Sequence, residues 1–170
     1  MGAPGGSITA MNDLLMDAFR HNAWATRKLL SFCCELPQEA LDAGAPGSYG
    51  SAQATLQHLL GAEAVYSSMF LGAFPAWEWR EGAALETMAS WAEDLATRWD
   101  DILSRPLDAE GLLSRPTTSG SARQARAGVV LAQTLHHGSL HREQVCAILT
   151  SLGLQPPDLE PWSYARETGR

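Results

Sequence analysis

A four-helix bundle of the all-α class is the fold this sequence predicts, and three observations predict it. Four segments of the 170-residue chain repeat their apolar side chains at the spacing of one helix face. Stretches rich in Gly, Pro and Ser punctuate these segments. Strand-like alternation is almost absent. Four amphipathic helices with their apolar faces turned together predict an antiparallel bundle. The connections between the first and second helices, and between the third and fourth, are long enough to permit a crossover. The length suits a single domain over residues 1–170. Such a core needs neither disulfides nor a structural metal.

Residues 1–10 are expected to be flexible. The first helical segment, 11–35, sets Leu15, Phe19, Asn22, Thr26, Leu29 and Cys33 on one face. Asn12 or Asp13 is its candidate cap, and Leu36-Pro37 ends it. The second, 51–71, has Ser51 as N-cap and an expected inner face of Ala54, His58, Gly61, Ala62, Val65 and Met69. The third, 85–103, carries Met88, Trp91, Leu95, Trp99 and Ile102, tryptophans whose ordinary role is core packing. Residues 105–126 contain two X-Pro steps and the run TTSGSARQ, which reads as an irregular connection with room for a short hairpin. A connection that long is unusual in a compact domain and is expected to cover something. The fourth segment, 127–152, has Gly153 as its C′ candidate. The proline-rich tail, 154–170, is expected to be irregular and tethered to the bundle by Trp162 and Tyr164.

A formal charge of −7, with basic residues scattered rather than clustered, argues against nucleic acid or an anionic membrane as partner. The three cysteines, Cys33, Cys34 and Cys146, form no disulfide framework and suit a reducing compartment. The opening MGAPGGSITAMND lacks the basic and apolar regions of a signal peptide. No apolar run approaches the ~18 residues of a membrane span. A cytoplasmic location is expected.

The chemistry concentrates in His136-His137-Gly138-Ser139-Leu140-His141-Arg142-Glu143-Gln144. His137 and His141 are four residues apart, so one turn separates them on one face and both imidazoles can reach one metal ion. Val130, Leu140, Gln144 and Ile148 share that face, which is expected to point inward. Imidazoles buried there must be hydrogen-bonded or must coordinate something. His58, flanked by small residues on the second helix, is the third candidate ligand. Three imidazoles suit zinc, nickel, copper or iron, and three protein ligands with open positions resemble a catalytic site more than a structural one. Gln144 and Asn22 could orient a ligand or a substrate, or be satisfied polar groups of the core. His21 reads as a partly exposed helix residue. His136 reads as lining an interface or bonding a neighbouring helix. Arg142 and Glu143 read as a solvated or bundle-edge pair, and Cys33 and Cys146 as small buried hydrophobes.

The segments LQHL (56–59), HHGSLHREQ (136–144), LGLQPPDL (152–159) and HNAWATRKLL (21–30) together resemble the DinB/YfiT-like superfamily of four-helix-bundle metalloproteins, over about residues 12–165. One departure is Glu143, where many relatives carry Gly. The resemblance implies a right-handed bundle and one divalent metal, usually zinc or nickel, held by His58, His137 and His141. It also implies thiol chemistry. Characterised members of that superfamily include S-transferases using bacillithiol or mycothiol, a mycothiol-dependent maleylpyruvate isomerase, and glutathione-dependent relatives.

Three functions remain open at this point. The first is a metal-dependent thiol S-transferase acting on a small electrophile. The second is a metal-dependent hydrolase, which an accessible carboxylate near the metal would favour; Glu63 lies on the opposite side of its helix from His58. The third is a non-catalytic metal- or ligand-binding stress-response protein, which a sealed site would favour. A pocket reaching the histidines, walled by residues 36–51 and 105–126, would favour the enzymes. Trp24, Trp77 and Trp79 lie off the core stripes, and a homodimer is expected, large aromatics outside a core stripe being a mark of interfaces.

Overall fold

The computed structural model describes residues 8–108, 110–115 and 123–170, with residues 8–13 and 123 described by backbone alone. The expected flexibility of 1–10 falls mostly outside these residues. The described residues form six helices and one hairpin: α1 (Ile8–Cys34), α2 (Gln38–Asp42), α3 (Ala52–Leu71), α4 (Leu85–Leu103), β1 (Leu112–Arg115), β2 (Arg123–Arg126), α5 (Ala127–Ser151) and α6 (Pro161–Thr168). The long helices α1, α3, α4 and α5 are the four read from periodicity. Among the described residues, no helix is long and apolar enough to cross a membrane.

Local chemistry explains several boundaries. The Ser51 hydroxyl caps α3 by accepting from the Ala54 N–H at 3.2 Å. Gly153, at φ 79°, closes α5, and Leu154 N–H returns to the Leu149 carbonyl at 3.1 Å. α1 begins at Ile8, upstream of Asn12 and Asp13, so neither is its cap. Part of the tail is helical, against expectation: Pro161 sits in the first turn of α6, where its missing N–H is not needed. Tyr164 is buried and anchors α6 over Trp24 at 5.6 Å, whereas Trp162 is 75% exposed and tethers nothing.

Two apolar clusters set the helix directions. One joins Leu29, Leu30 and Cys33 of α1, Leu56, Leu59 and Leu60 of α3, Met88, Trp91 and Leu95 of α4, and Val145, Ile148 and Leu149 of α5. The other joins Phe19, Phe70, Trp99, Ile102, Leu131 and Leu135. The C-terminal halves of α1 and α5 therefore lie level with the N-terminal halves of α3 and α4. α1 and α5 run one way, and α3 and α4 the other. α1 packs on α4 and on α5, and α3 packs on α5 and on α4. The diagonal pairs, α1 with α3 and α4 with α5, are those joined by the two long connections, which make the crossovers.

This corrects the simple antiparallel expectation. α3 and α4 are parallel neighbours, so residues 72–84 must return along the bundle. Gln57 and Gln53 of α3 hold the far end of that return: Gln53 Nε2 donates to the Ala83 carbonyl at 2.9 Å, and Gly82 N–H donates to Gln57 Oε1 at 2.9 Å. The antiparallel hairpin of β1 and β2 pairs Leu112 with Arg126, and β1 lies beside α3.

Between the apolar clusters sits a buried polar one. Asn22 is 1% exposed, Arg142 3% and Glu63 6%. The Asn22 amide donates to Glu63 Oε1 at 3.3 Å, and its oxygen accepts from Arg142 Nη1 at 2.8 Å. Arg142 Nη1 also donates to Thr26 Oγ1 at 3.0 Å. Arg142 is thus a core residue and not the solvated or bundle-edge group expected; Glu143 is exposed. α1 comes this close to α5 because position 138 is glycine. A Cβ there would fall inside contact distance of Asn22 Oδ1 and 3.0 Å from Arg142 Nη1.

Replacing an interior helix glycine with alanine ordinarily stabilises by about 1 kcal/mol. Gly138→Ala is expected to reverse that sign and destabilise by roughly 1–3 kcal/mol through overpacking. Urea unfolding of the two proteins measures it.

Candidate metal centre

His58 comes from α3, and His137 and His141 come from successive turns of α5. Because α3 and α5 are antiparallel neighbours, the three rings meet in the groove between them. Ring centroids are 5.1 Å apart for His58 and His137, 4.8 Å for His58 and His141, and 4.3 Å for His137 and His141. One nitrogen from each ring lies within 4.8 Å of the others, a grouping that could hold a metal ion.

The helix faces differ from the expected ones. The core face of α3 is Leu56, Leu59, Leu60, Glu63 and Ala64, while Ala54 is exposed and His58 half-buried. On α5, Val130 and Ile148 are buried but Leu140 is 46% exposed. The histidines therefore line an outer groove beside the core rather than its centre, and the hydrophobic runs of these two helices do not reveal their true rotation. His141 is buried, and His58 and His137 are half-buried.

Neighbours fix the rings. Gln144 Oε1 meets His141 Nδ1 at 2.8 Å, which favours the tautomer with the proton on Nδ1 and leaves Nε2 with its lone pair. The same Gln144 holds the loop above: its amide donates to the Gly47 carbonyl at 3.1 Å, and its oxygen accepts from Tyr49 N–H at 3.3 Å. Tyr49 then stacks on His58 at 3.7 Å, 14° from parallel. Tyr66 meets His137 edge-on at 5.7 Å. Gln144 thus orients a candidate ligand, while Asn22 belongs to the core network. Sequence reading missed Tyr49 and Tyr66, because loop and helix residues distant in sequence carry no periodic signal for a shared ring cluster.

The electrostatics fit a cation. Burial, then His141, His58 and His136, pull His137 down to about 4. Burial, then His141, pull His58 down too. Both rings are therefore neutral donors near neutral pH. Cys33 is pushed up to about 12 and Cys146 to about 11, chiefly by burial, so these thiols stay protonated; neither belongs to the histidine cluster. The remaining histidines stand apart: His21 meets the Leu159 carbonyl at 2.8 Å, and His136 is exposed.

His58 also forms part of the wall of an open cavity of about 670 Å³. Tyr49 and Arg115 bring the two expected connections to it. Phe74, Pro75, Trp77, Trp79 and Glu81 bring the α3–α4 return, which was not expected there.

The family model described as DinB family matches residues 11–169. The chain belongs to the DinB family. A comparison with curated proteins finds no match. Among solved structures, a crystal structure of a DinB-like protein from Bacillus cereus ATCC 10987 matches with a TM-score of 0.65 at 19% identity, covering 85% of this chain and 94% of that one. At that identity the likeness speaks for the fold of this DinB-family chain.

Without metal, the histidine cluster makes stability depend on pH. His137 is neutral in the folded protein down to about 4, whereas an unfolded histidine binds its proton near 6.5. The unfolded chain takes up protons first as pH falls, so the contribution is complete above the unfolded value and is lost through the window from about 6.5 down to about 4. Thermal melts of chelator-treated protein should show Tm falling across that window, with a shallower slope for His137→Gln.

Proposed function

We propose that this DinB-family protein is a divalent-metal-dependent thiol S-transferase acting on small electrophiles, with His58, His137 and His141 as the metal ligands. The single observation that carries the reading is the convergence of these imidazoles, two of them held neutral by burial, at the edge of an open cavity. Neutral nitrogen donors suit zinc or nickel, and three protein ligands leave coordination positions open. The family resemblance adds the thiol: bacillithiol, mycothiol or glutathione. The raised pKa values of Cys33, Cys34 and Cys146 also favour a nucleophile from outside the chain.

A bound divalent ion would act as a Lewis acid that lowers the pKa of a coordinated thiol. The protein's own contribution is positional. Gln144 holds His141 and the Tyr49 loop together, and Tyr49 shields one face of His58 from water. The cavity brings the electrophile alongside. The thiol proton passes to solvent. Its sulfur forms a bond to the electrophilic carbon, and the leaving group departs with the electron pair of the bond that breaks. The hydrolytic alternative draws little support from Glu63, which is buried against Asn22 on the core side of α3. The open cavity at His58 speaks against a sealed, non-catalytic site. Free thiols accord with the cytoplasm as its place of action.

Protein purified without chelator should carry close to one divalent ion per chain by elemental analysis. His137→Ala and His141→Ala should each lose most of it without unfolding, since the core does not depend on the site. Full occupancy in the double variant would end the proposal.

The cobalt-substituted protein should develop a sulfur-to-metal charge-transfer band on adding one of the three thiols. It should also transfer that thiol to monochlorobimane, with both signals lost in His58→Ala. No band and no transfer with any of the thiols would rule the thiol reading out.

A further inference from the structure

Three of the large aromatic side chains most exposed on this protein surround one cavity. Tyr49 is 57% exposed, Phe74 55% and Trp79 49%, and all three line the space beside His58. Exposed apolar side chains scattered singly need no explanation, but a concave cluster of them marks a binding site. We infer that this cavity takes an uncharged, planar aromatic molecule of mono- or bicyclic size and is the acceptor pocket of the proposed transfer. The second half of that statement rests on the transferase reading; the ligand class rests on the walls alone.

The walls are built in advance. Trp79 lies nearly parallel to Trp91 at 5.4 Å, and Trp91 is a core residue, 2% exposed. Trp77 stacks on the same Trp91 at 4.5 Å, and its indole N–H donates to Asp94 Oδ2 at 3.0 Å. The Trp79 ring therefore rests on the core while part of it faces the cavity. Its other support is the backbone of α3. Gly61 leaves the space that Trp79 fills, and a Cβ at that position would stand 2.6 Å from Trp79 Cη2. On the opposite flank, Tyr49 is fixed by its N–H bond to Gln144 and by its stack on His58. Aromatic faces held in place bind a flat partner with little loss of side-chain freedom.

Size and charge narrow the occupant. A cavity of about 670 Å³ falls in the range of small-molecule sites. Its two charged lining residues, Glu81 and Arg115, are of opposite sign, so the walls themselves carry no net charge that would select an ion. His58 in the wall places a bound ring next to the proposed thiol position.

The test is calorimetric titration of the metal-loaded protein with 2-naphthol, an unreactive aromatic, with cyclohexanol and naphthalene-2-sulfonate as aliphatic and anionic comparators. Naphthol should bind saturably and tightest. Trp79→Ala should weaken it about tenfold or more, the loss of one stacking wall. Gly61→Ala should weaken it as well, by displacing the ring. Trp79 is half exposed, and far-ultraviolet circular dichroism checks that each variant is folded. Trp162→Ala, altering an exposed residue outside the cavity, should change nothing. Naphthol binding should survive in metal-depleted His137→Ala. Equal affinity for cyclohexanol, equal affinity for the sulfonate in metal-depleted His137→Ala, or an unaffected Trp79→Ala would overturn the ligand class. So would a homodimer in sedimentation that Trp79→Ala dissociates and naphthol does not enter, since a second copy would then be the occupant. Aromatic binding without any thiol transfer would sink the proposed function and leave the pocket's ligand class standing.

Discussion

A guanidinium and a carboxyl group share the centre of this bundle without touching. Arg142 and Glu63 are joined through the amide of Asn22, which donates to one and accepts from the other. Burial pushes Glu63 up and Arg142 down from their ordinary values, and each opposes the other's shift. Leaving either without its partner would strand a buried charge, at a cost of about 3–5 kcal/mol. Apolar faces tolerate sliding by a turn, but this network closes in one register only. It binds α1, α3 and α5 at mid-height, between the two apolar clusters, and Gly138 supplies the clearance. Once α3 and α5 are fixed against each other, His58 has no choice but to face His137 and His141.

The same constraint explains why the candidate metal centre is open. Glu63 must point into the core, five residues after His58, so His58 is carried to the other side of α3. Arg142 points inward from α5, and its neighbour His141 comes to the groove with its Nδ1 held by Gln144. The core is closed by side chains that do not include the histidines. An ion would therefore be an addition to a finished fold, free to keep open positions for chemistry.

The parallel arrangement of α3 and α4 supplies the other half of the site. It obliges the connection to climb back along α3, and the climbing chain carries Phe74, Trp77 and Trp79 across the helix face beside His58. An antiparallel pair joined by a short turn would leave that face bare. The cavity is thus a consequence of topology, with Trp91 beneath and Gly61 behind setting the position of its wall.

Much of this was legible in the residues themselves. The apolar repeats determined the four long helices, because burial of one stripe demands that spacing whatever the partner; the α4 stripe from Met88 to Ile102 is buried throughout. Ser51 and Gly153 marked their boundaries through purely local hydrogen bonding. The i,i+4 pair His137 and His141, with His58, named the cluster, because one helical turn suffices to bring two imidazoles together. The helix directions, the rotation of α3 and the burial of Arg142 were decided only in three dimensions. Small residues such as Ala54, Gly61 and Ala62 read as equally apolar whether they face the core or a cavity. A charged residue reads as solvated until its partners arrive from other helices: Arg142 meets Asn22 across 120 residues and Glu63 through that same side chain. Such contacts depend on the distance between chain segments in space, and local sequence carries no record of it.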